Sequence, residues 1–333
     1  MIGSFFYLVN IKGEINLTRI FTIGEALIDF IPAEKGIALK EVTGFVKEAG
    51  GAPANVACAV ARLGGKSAFI GKLGIDAFGD FLFDTLQNVG VDTQYIFRTD
   101  EANTALAFVS LQADGNRQFM FYRNPSADML LSEDEIQQHW FQPNDILHYC
   151  SVDLIEAPVK YAHIKAIDSI KAQGGRVSFD PNVRLPLWQD KELCRKTILQ
   201  FIPLSHILKV SDEELEFITG LQDQEKAIAS LFVGDVEVII FTKGADGAEL
   251  YTKAFHISLP GLKVQAIDTT GAGDSFIGAF LYQLGLQELA LHQLTEAEMN
   301  EMLSFAMTVA AMTTTRKGAI QSLPTLEEVQ RFQ

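Results

Sequence analysis

The strongest constraint on this chain is a rhythm. Strand-like apolar runs alternate with helix-like segments along most of its 333 residues. The first strand covers residues 19–23 and runs toward Asp29. A helix at 54–63, a strand at 67–70 and a helix at 78–89 follow. Farther on, strands at 146–149, 176–179 and 206–210 alternate with helices at 158–172 and 191–200. Two helices lie between Asp212 and Phe232, then strands at 236–241, 248–251 and 263–267, and helices at 275–284 and 296–313 close the chain. Such alternation predicts a mostly parallel sheet covered on both faces, an α/β fold in three layers. In these sheets the ligand sits beyond the carboxyl ends of the strands.

One stretch breaks the rhythm. Residues 105–111 and 117–123 are strand-like runs joined by Gln112-Ala113-Asp114-Gly115-Asn116, and Asp-Gly is a strong hairpin signal. With residues 37–46 as a partner, this hairpin reads as a small β lid. An antiparallel edge of the main sheet is the alternative. Phe119 and Phe121 fall on one face of the hairpin, Met120 and Tyr122 on the other.

Charge limits the partners. There are 27 Lys+Arg against 42 Asp+Glu, a net −15, which speaks against wrapping nucleic acid. Cys58, Cys150 and Cys194 lie far apart with no CxxC pair, so a disulfide scaffold or Cys-rich zinc site is not expected and a reducing cytoplasm fits. No apolar run approaches the ~18 residues of a membrane span. Residues 1–18, which include Phe5-Phe6-Tyr7-Leu8-Val9, lack a basic n-region and read as an N-terminal extension, not a signal peptide.

The most informative segment is Asp268-Thr269-Thr270-Gly271-Ala272-Gly273-Asp274-Ser275-Phe276, between an expected strand and an expected helix. Small residues let backbone approach a ligand, and a helix N-terminus attracts an anion. Asp274 stands where a general base can meet a phosphate, which suggests phosphoryl transfer. A plain glycine turn with Asp274 as a helix cap is the alternative. Gly50-Gly51-Ala52-Pro53-Ala54-Asn55 also opens a helix, offering backbone N–H groups and an amide to a polyhydroxylated ligand; close helix packing explains the small residues equally well. Asp29 is placed either to chelate vicinal hydroxyls or as a turn residue. The usual nucleotide motifs fail. Val60 occupies the first glycine position of a P-loop ending Gly65-Lys66-Ser67, and Phe276 replaces the last glycine of GxGxxG. The six histidines show no metal-binding spacing.

Taken in order, these segments resemble the ribokinase-like (pfkB) family of carbohydrate kinases. Residues 50–79 look like its N-terminal signature and 268–280 its C-terminal one, and the resemblance spans about 19–324. Phe121-Tyr122-Arg123-Asn124-Pro125-Ser126-Ala127-Asp128 and Asp180-Pro181-Asn182-Val183-Arg184-Leu185-Pro186-Leu187-Trp188 are most similar to fructokinases, while kinases of 2-keto-3-deoxygluconate and of aminoimidazole riboside share parts of the pattern.

The resemblance implies a three-layer α/β/α ribokinase-like domain over 19–333, with lid segments near 37–48 and 104–123. It implies ATP-dependent phosphorylation of a sugar hydroxyl, with Asp274 as base and Gly271, Ala272 and Gly273 as an anion hole. Asp29, Gly50, Gly51, Asn55 and Arg123 would hold the sugar, and Ser211, Thr242, Gly244 and Gly247 the ATP. Glu214 would help organise magnesium, although Ser211 replaces the asparagine usual in that NxxE motif. A potassium site is implied at Asp268 and Ser322 with carbonyls near Thr270, Thr313, Arg316 and Gly318. One lid face would cover the sugar and the other a second subunit of a homodimer. A catalytically silent sugar-binding regulator and a dinucleotide oxidoreductase are the alternatives from other classes; the intact Asp274 speaks against the first and the missing GxGxxG against the second.

Overall fold

The computed structural model describes residues 18–332 apart from 33, 35, 112–116 and 288. Its strands, in chain order, are β1 (Arg19–Ile23), β2 (Leu27–Pro32), β3 (Phe45–Gly50), β4 (Lys66–Gly74), β5 (Ile96–Thr99), β6 (Leu106–Leu111), β7 (Arg117–Tyr122), β8 (Ile146–Cys150), β9 (Arg176–Asp180), β10 (Ile207–Ser211), β11 (Val238–Thr242), β12 (Gly247–Thr252) and β13 (His256–Pro260). The α-helices are α1 (Ala52–Arg62), α2 (Ala77–Val89), α3 (Pro158–Ala172), α4 (Lys191–Phe201), α5 (Asp212–Thr219), α6 (Gln224–Ser230), α7 (Ala272–Gly285), α8 (Glu296–Thr314) and α9 (Leu326–Phe332).

Nine strands form the main sheet in the order β13-β12-β11-β10-β9-β8-β1-β4-β5. The run from β11 through β5 is parallel, and β12 and β13 add an antiparallel edge. The parallel strands are apolar almost throughout because both faces are covered. On one face Tyr149, Phe179 and Leu208 pack against α3 and α4 through Ile167 and Ile198; on the other Ile20, Ile207 and Ile240 meet Phe280 of α7 and Leu303 of α8. Side-chain caps define several helix starts, among them Asp76 on α2, Asp190 on α4 and Thr295 on α8.

The second sheet, β3-β2-β6-β7, is small and separate. The hairpin β6–β7 belongs to it and not to an edge of the main sheet, with Ala107 opposite Phe121 and Leu111 opposite Arg117. The expected Asp-Gly turn itself lies outside the described residues, as does almost all of the N-terminal extension. Two expectations shift here. The run toward Asp29 is not one strand: the chain breaks at Gly24, whose φ is +142°, and β2 restarts in the lid with Asp29 on it. Residues 37–46 contribute little pairing; Leu39–Glu41 is a short 3₁₀ turn, and the lid strand is β3.

The strand expected at 263–267 does not form. Its alternation is real, but Val264 and Ala266, with Leu262, face a cavity and not a core, while Ile267 is exposed. Period two reports an extended backbone with one sheltered side, and a ligand cavity shelters a side as well as a sheet does. The edge strand β5 has no counterpart among the expected strands; its four residues are all only half-buried. Among the described residues no helix is long and apolar enough to cross a membrane.

Candidate active site

The carboxyl ends of β1, β8, β9, β10 and β11 open toward the lid, and two cavities lie there. The inner one, about 320 Å³, is bounded by Glu25 after β1, the lid residues Leu27, Asp29 and Phe121, and the starts of α1 and α7. The outer one, about 640 Å³, runs over the ends of β10 and β11 to α8. Asp180, Asn182, Arg184, Lys209, Thr269 and Gly273 line both, so the two cavities meet at a seam.

Helix packing brings the seam together. Where α1 crosses α7, a Cβ on Gly278 would lie 2.7 Å from that of Ala59, so only a glycine there allows the close approach. The N-terminal ends of both helices then adjoin, and Asn55 Nδ2 donates to Asp274 Oδ2 at 2.8 Å. Asn182 Nδ2 reaches Oδ1 at 3.5 Å from a left-handed backbone, φ +44°. Asp274 is 9% exposed and lines the inner cavity. Burial dominates its titration: despite the Asn55 hydrogen bond and the nearby Arg184 and Lys209, its pKa is raised to about 6, with Asp180 adding to the rise. The carboxylate is therefore a stronger base than an exposed aspartate, yet roughly nine-tenths ionised at neutral pH.

Asp274 sits in the first turn of α7. Gly271 caps that helix at φ +73°, a conformation glycine adopts without strain. The Ala272 N–H is engaged by the Thr269 carbonyl at 3.2 Å. That leaves the other N–H groups of the first turn, with the helix dipole, as the donors this helix start can offer an anion. A cation stands beside it. Lys209 Nζ pairs with Asp180 Oδ2 at 2.7 Å and lies 3.5 Å from where a Cβ on Gly273 would be. Burial works against the Lys209 ammonium, but Asp180 and Glu214 outweigh it and raise its pKa above that of a free lysine. Lys209, Asn182 and Arg184 were not assigned from the sequence. The signal for Lys209 was present: a lysine inside the apolar run Ile207–Ser211 must find a buried partner.

In the inner cavity Asp29, Gly51 and Asn55 lie on the wall as expected. Gly50 is not on the wall, but a side chain there would overlap the Asp29 carboxylate that is. Gly51, at φ +104°, opens α1 directly over the Glu25 carbonyl. Arg123 is placed differently from the sequence expectation of a direct ligand. It is not among the residues of the cavity wall; its guanidinium is buried in ion pairs with Asp128 and Asp153.

In the outer cavity Ser211, Thr242, Gly244 and Gly247 all lie on the wall. Glu214, in the first turn of α5, is buried: its carboxylate accepts from Val183 N at 2.7 Å and Ser211 N at 3.0 Å. Away from the cavities, Asp268 accepts from Thr270 N at 2.9 Å and Gly318 N at 3.1 Å, and Ser322 donates to the Ala319 carbonyl at 2.8 Å. Asp268 thus ties the loop before α7 to the loop after α8.

The profile of pfkB family carbohydrate kinases matches residues 17–326. A probable fructokinase-5 of Arabidopsis thaliana is 47% identical over 318 residues, 95% of this chain and 98% of its own. The crystal structure of a fructokinase from Xylella fastidiosa with bound ATP superposes with a TM-score of 0.86 at 38% identity, covering 94% of this chain and 97% of that one. A fructokinase double mutant from Vibrio cholerae O395, bound to fructose, ADP and a potassium ion, gives 0.85 at 36% identity over 95% and 98%. By motif order, fold and full-length similarity, the chain belongs to the pfkB family of carbohydrate kinases.

Proposed function

We propose that this enzyme is an ATP-dependent fructokinase that transfers the γ-phosphoryl group to the 6-hydroxyl of D-fructose. The observation that carries this reading is the seam. A small polar cavity and a larger, more apolar one meet beside Asp274, at a helix N-terminus with a lysine and an arginine at hand. The sugar occupies the inner cavity, held by Asp29, the backbone at Gly51 and Asn55. ATP occupies the outer one, its base against Val264, Ala266 and Ala310 and its phosphates toward Gly273 and Lys209. Asp274 takes the hydroxyl proton as the new P–O bond forms; a carboxylate suffices because proton loss comes late in a loose transition state. First-turn N–H groups of α7 other than that of Ala272, with Lys209 and Arg184, offset the charge on the moving phosphoryl group.

Among the described residues no group of three or more His, Cys, Asp or Glu side chains could hold a metal by itself. Magnesium therefore fits as an ion carried in with the nucleotide phosphates. When bound it would neutralise phosphate charge. Glu214, whose carboxylate already serves two backbone N–H groups, fits an indirect role through water. The bridging of two loops by Asp268 supports the potassium site, since it gathers backbone around one carboxylate near α7. On the lid, Tyr122 and Met120 are 58% and 48% exposed on the side opposite Phe121, which supports a second copy of the chain covering that face. Three buried free cysteines support a reducing compartment, the cytoplasm.

A substrate panel tests the reading. Fructose, 2-keto-3-deoxygluconate, ribose, aminoimidazole riboside and adenosine are compared by ADP release. Fructose is expected to give the highest kcat/KM, and fructose as the poorest substrate would overturn the assignment.

A further inference from the structure

Glu25 follows β1 at the chain break before the lid. It is 3% exposed, yet it lies on the wall of the inner cavity. One carboxylate oxygen, Oε1, accepts from the Ala52 N–H at 2.9 Å, a free donor at the start of α1. The other, Oε2, is buried without a hydrogen-bond partner. A buried polar atom left unmatched costs about 1–3 kcal/mol, and more when charged, so its persistence on a cavity wall calls for a ligand.

The surroundings hold Glu25 in place. Arg123 binds Asp128 through Nε at 3.0 Å and through Nη2, which also reaches Asp153, while Ser126 donates to the other Asp128 oxygen. Arg123 Nη1 and Asp153 Oδ2 are likewise buried and unmatched. Three carboxylates thus surround one guanidinium beside the sugar-side cavity, and of the four residues only Glu25 lies on its wall.

On the fructokinase reading above, we propose that Glu25 binds a hydroxyl of the sugar through Oε2 and is a specificity-determining residue, with Arg123, Asp128 and Asp153 positioning it from behind. A sugar hydroxyl suits this place because it donates to an ionised carboxylate and accepts from a protonated one. That adaptability matters here: burial, and then the Asp153 charge, raise the Glu25 pKa against the pull of Arg123, and Asp153 is itself raised to about 7 by burial. A subsite that reads a hydroxyl rejects sugars lacking it, because its own buried groups are then left unpaired.

The test is Glu25→Gln, which keeps the shape and the acceptor for Ala52, assayed with fructose and each monodeoxyfructose beside the wild type. Thermal melting and ATP binding verify that the variant is folded. The expected result is a loss in fructose kcat/KM of about 10- to 100-fold carried by KM, with the KM for ATP unchanged. One deoxyfructose, a poor substrate of the wild type, should show no further penalty in the variant. If the fold does not tolerate Gln, Glu25→Asp serves with the same readout. An unchanged KM for fructose, or the same penalty for every deoxy sugar in both proteins, overturns the proposal. Wild-type turnover of fructose reports separately on the fructokinase assignment: if it is absent, that reading fails, whatever the variant does.

Discussion

The two cavities differ in what lines them. The inner one is about half the volume of the outer, and its wall carries buried charged and polar side chains: Glu25, Asn55 and Asp274 of its own, with Asp180 and Lys209 shared with the outer one. Each is fixed by a partner from another element, as Asn55 fixes Asp274 and Asp180 fixes Lys209. The outer cavity is lined over much of its extent by Ala245, Val264, Ala266, Met307 and Ala310 and by backbone at Gly244 and Gly247. Sugars differ in the position of hydroxyls, so discriminating among them needs oriented side chains. A nucleotide is bound by shape around its base and by backbone N–H groups around its phosphates, which many residue types provide.

This contrast can be broken at the seam or on one side of it. The largest effect is expected at the seam. Asp274→Asn should lower kcat by about 10²–10⁴-fold, the usual contribution of a positioned base, while calorimetry finds ATP binding within twofold of wild type. A variant that loses ATP affinity in step with turnover would place Asp274 in nucleotide binding. On the outer side, Ala310→Phe fills space against the base. Overpacking of about 1–3 kcal/mol should raise the KM for ATP roughly 5- to 100-fold and leave that for fructose unchanged. Equal rises in both would mean the cavities act as one. The smallest change is expected from Ser211→Asn, which adds an amide at the phosphate end; steady-state titration should show the magnesium requirement shifted by roughly tenfold, the low end for groups behind a metal's ligands. No shift would place residue 211 outside that shell.

The difference between the cavities also explains what the sequence disclosed. The parallel sheet was legible because continuous apolar runs such as Val238-Ile239-Ile240-Phe241 have few other uses. Segments whose backbone lines the inner cavity were legible too, since only small residues permit the turns at Gly51 and Gly271. The inner cavity was harder to read. Glu25, Asn182 and Lys209 come from three separate strands or the turns that follow them, and nothing in their local sequence states which will converge. Arg123 shows the limit of local reading: its place at the hairpin end was visible, but its partner Asp153 is 30 residues away and turns it into a buried support. The extended stretch over residues 262–266 shows another, because alternation does not say whether a sheet or a cavity lies on one side.

The most direct test of the account is the pH dependence of kcat/KM for fructose at saturating ATP, measured in wild type and in Asp274→Asn. The base must be ionised to accept the proton, and burial raises its pKa to about 6. The wild-type profile should therefore be level above that value and fall tenfold per pH unit below it, and this acid limb should be missing from the residual activity of the variant. A profile that stays flat to pH 5 in folded enzyme, or an acid limb that survives in Asp274→Asn, would contradict it.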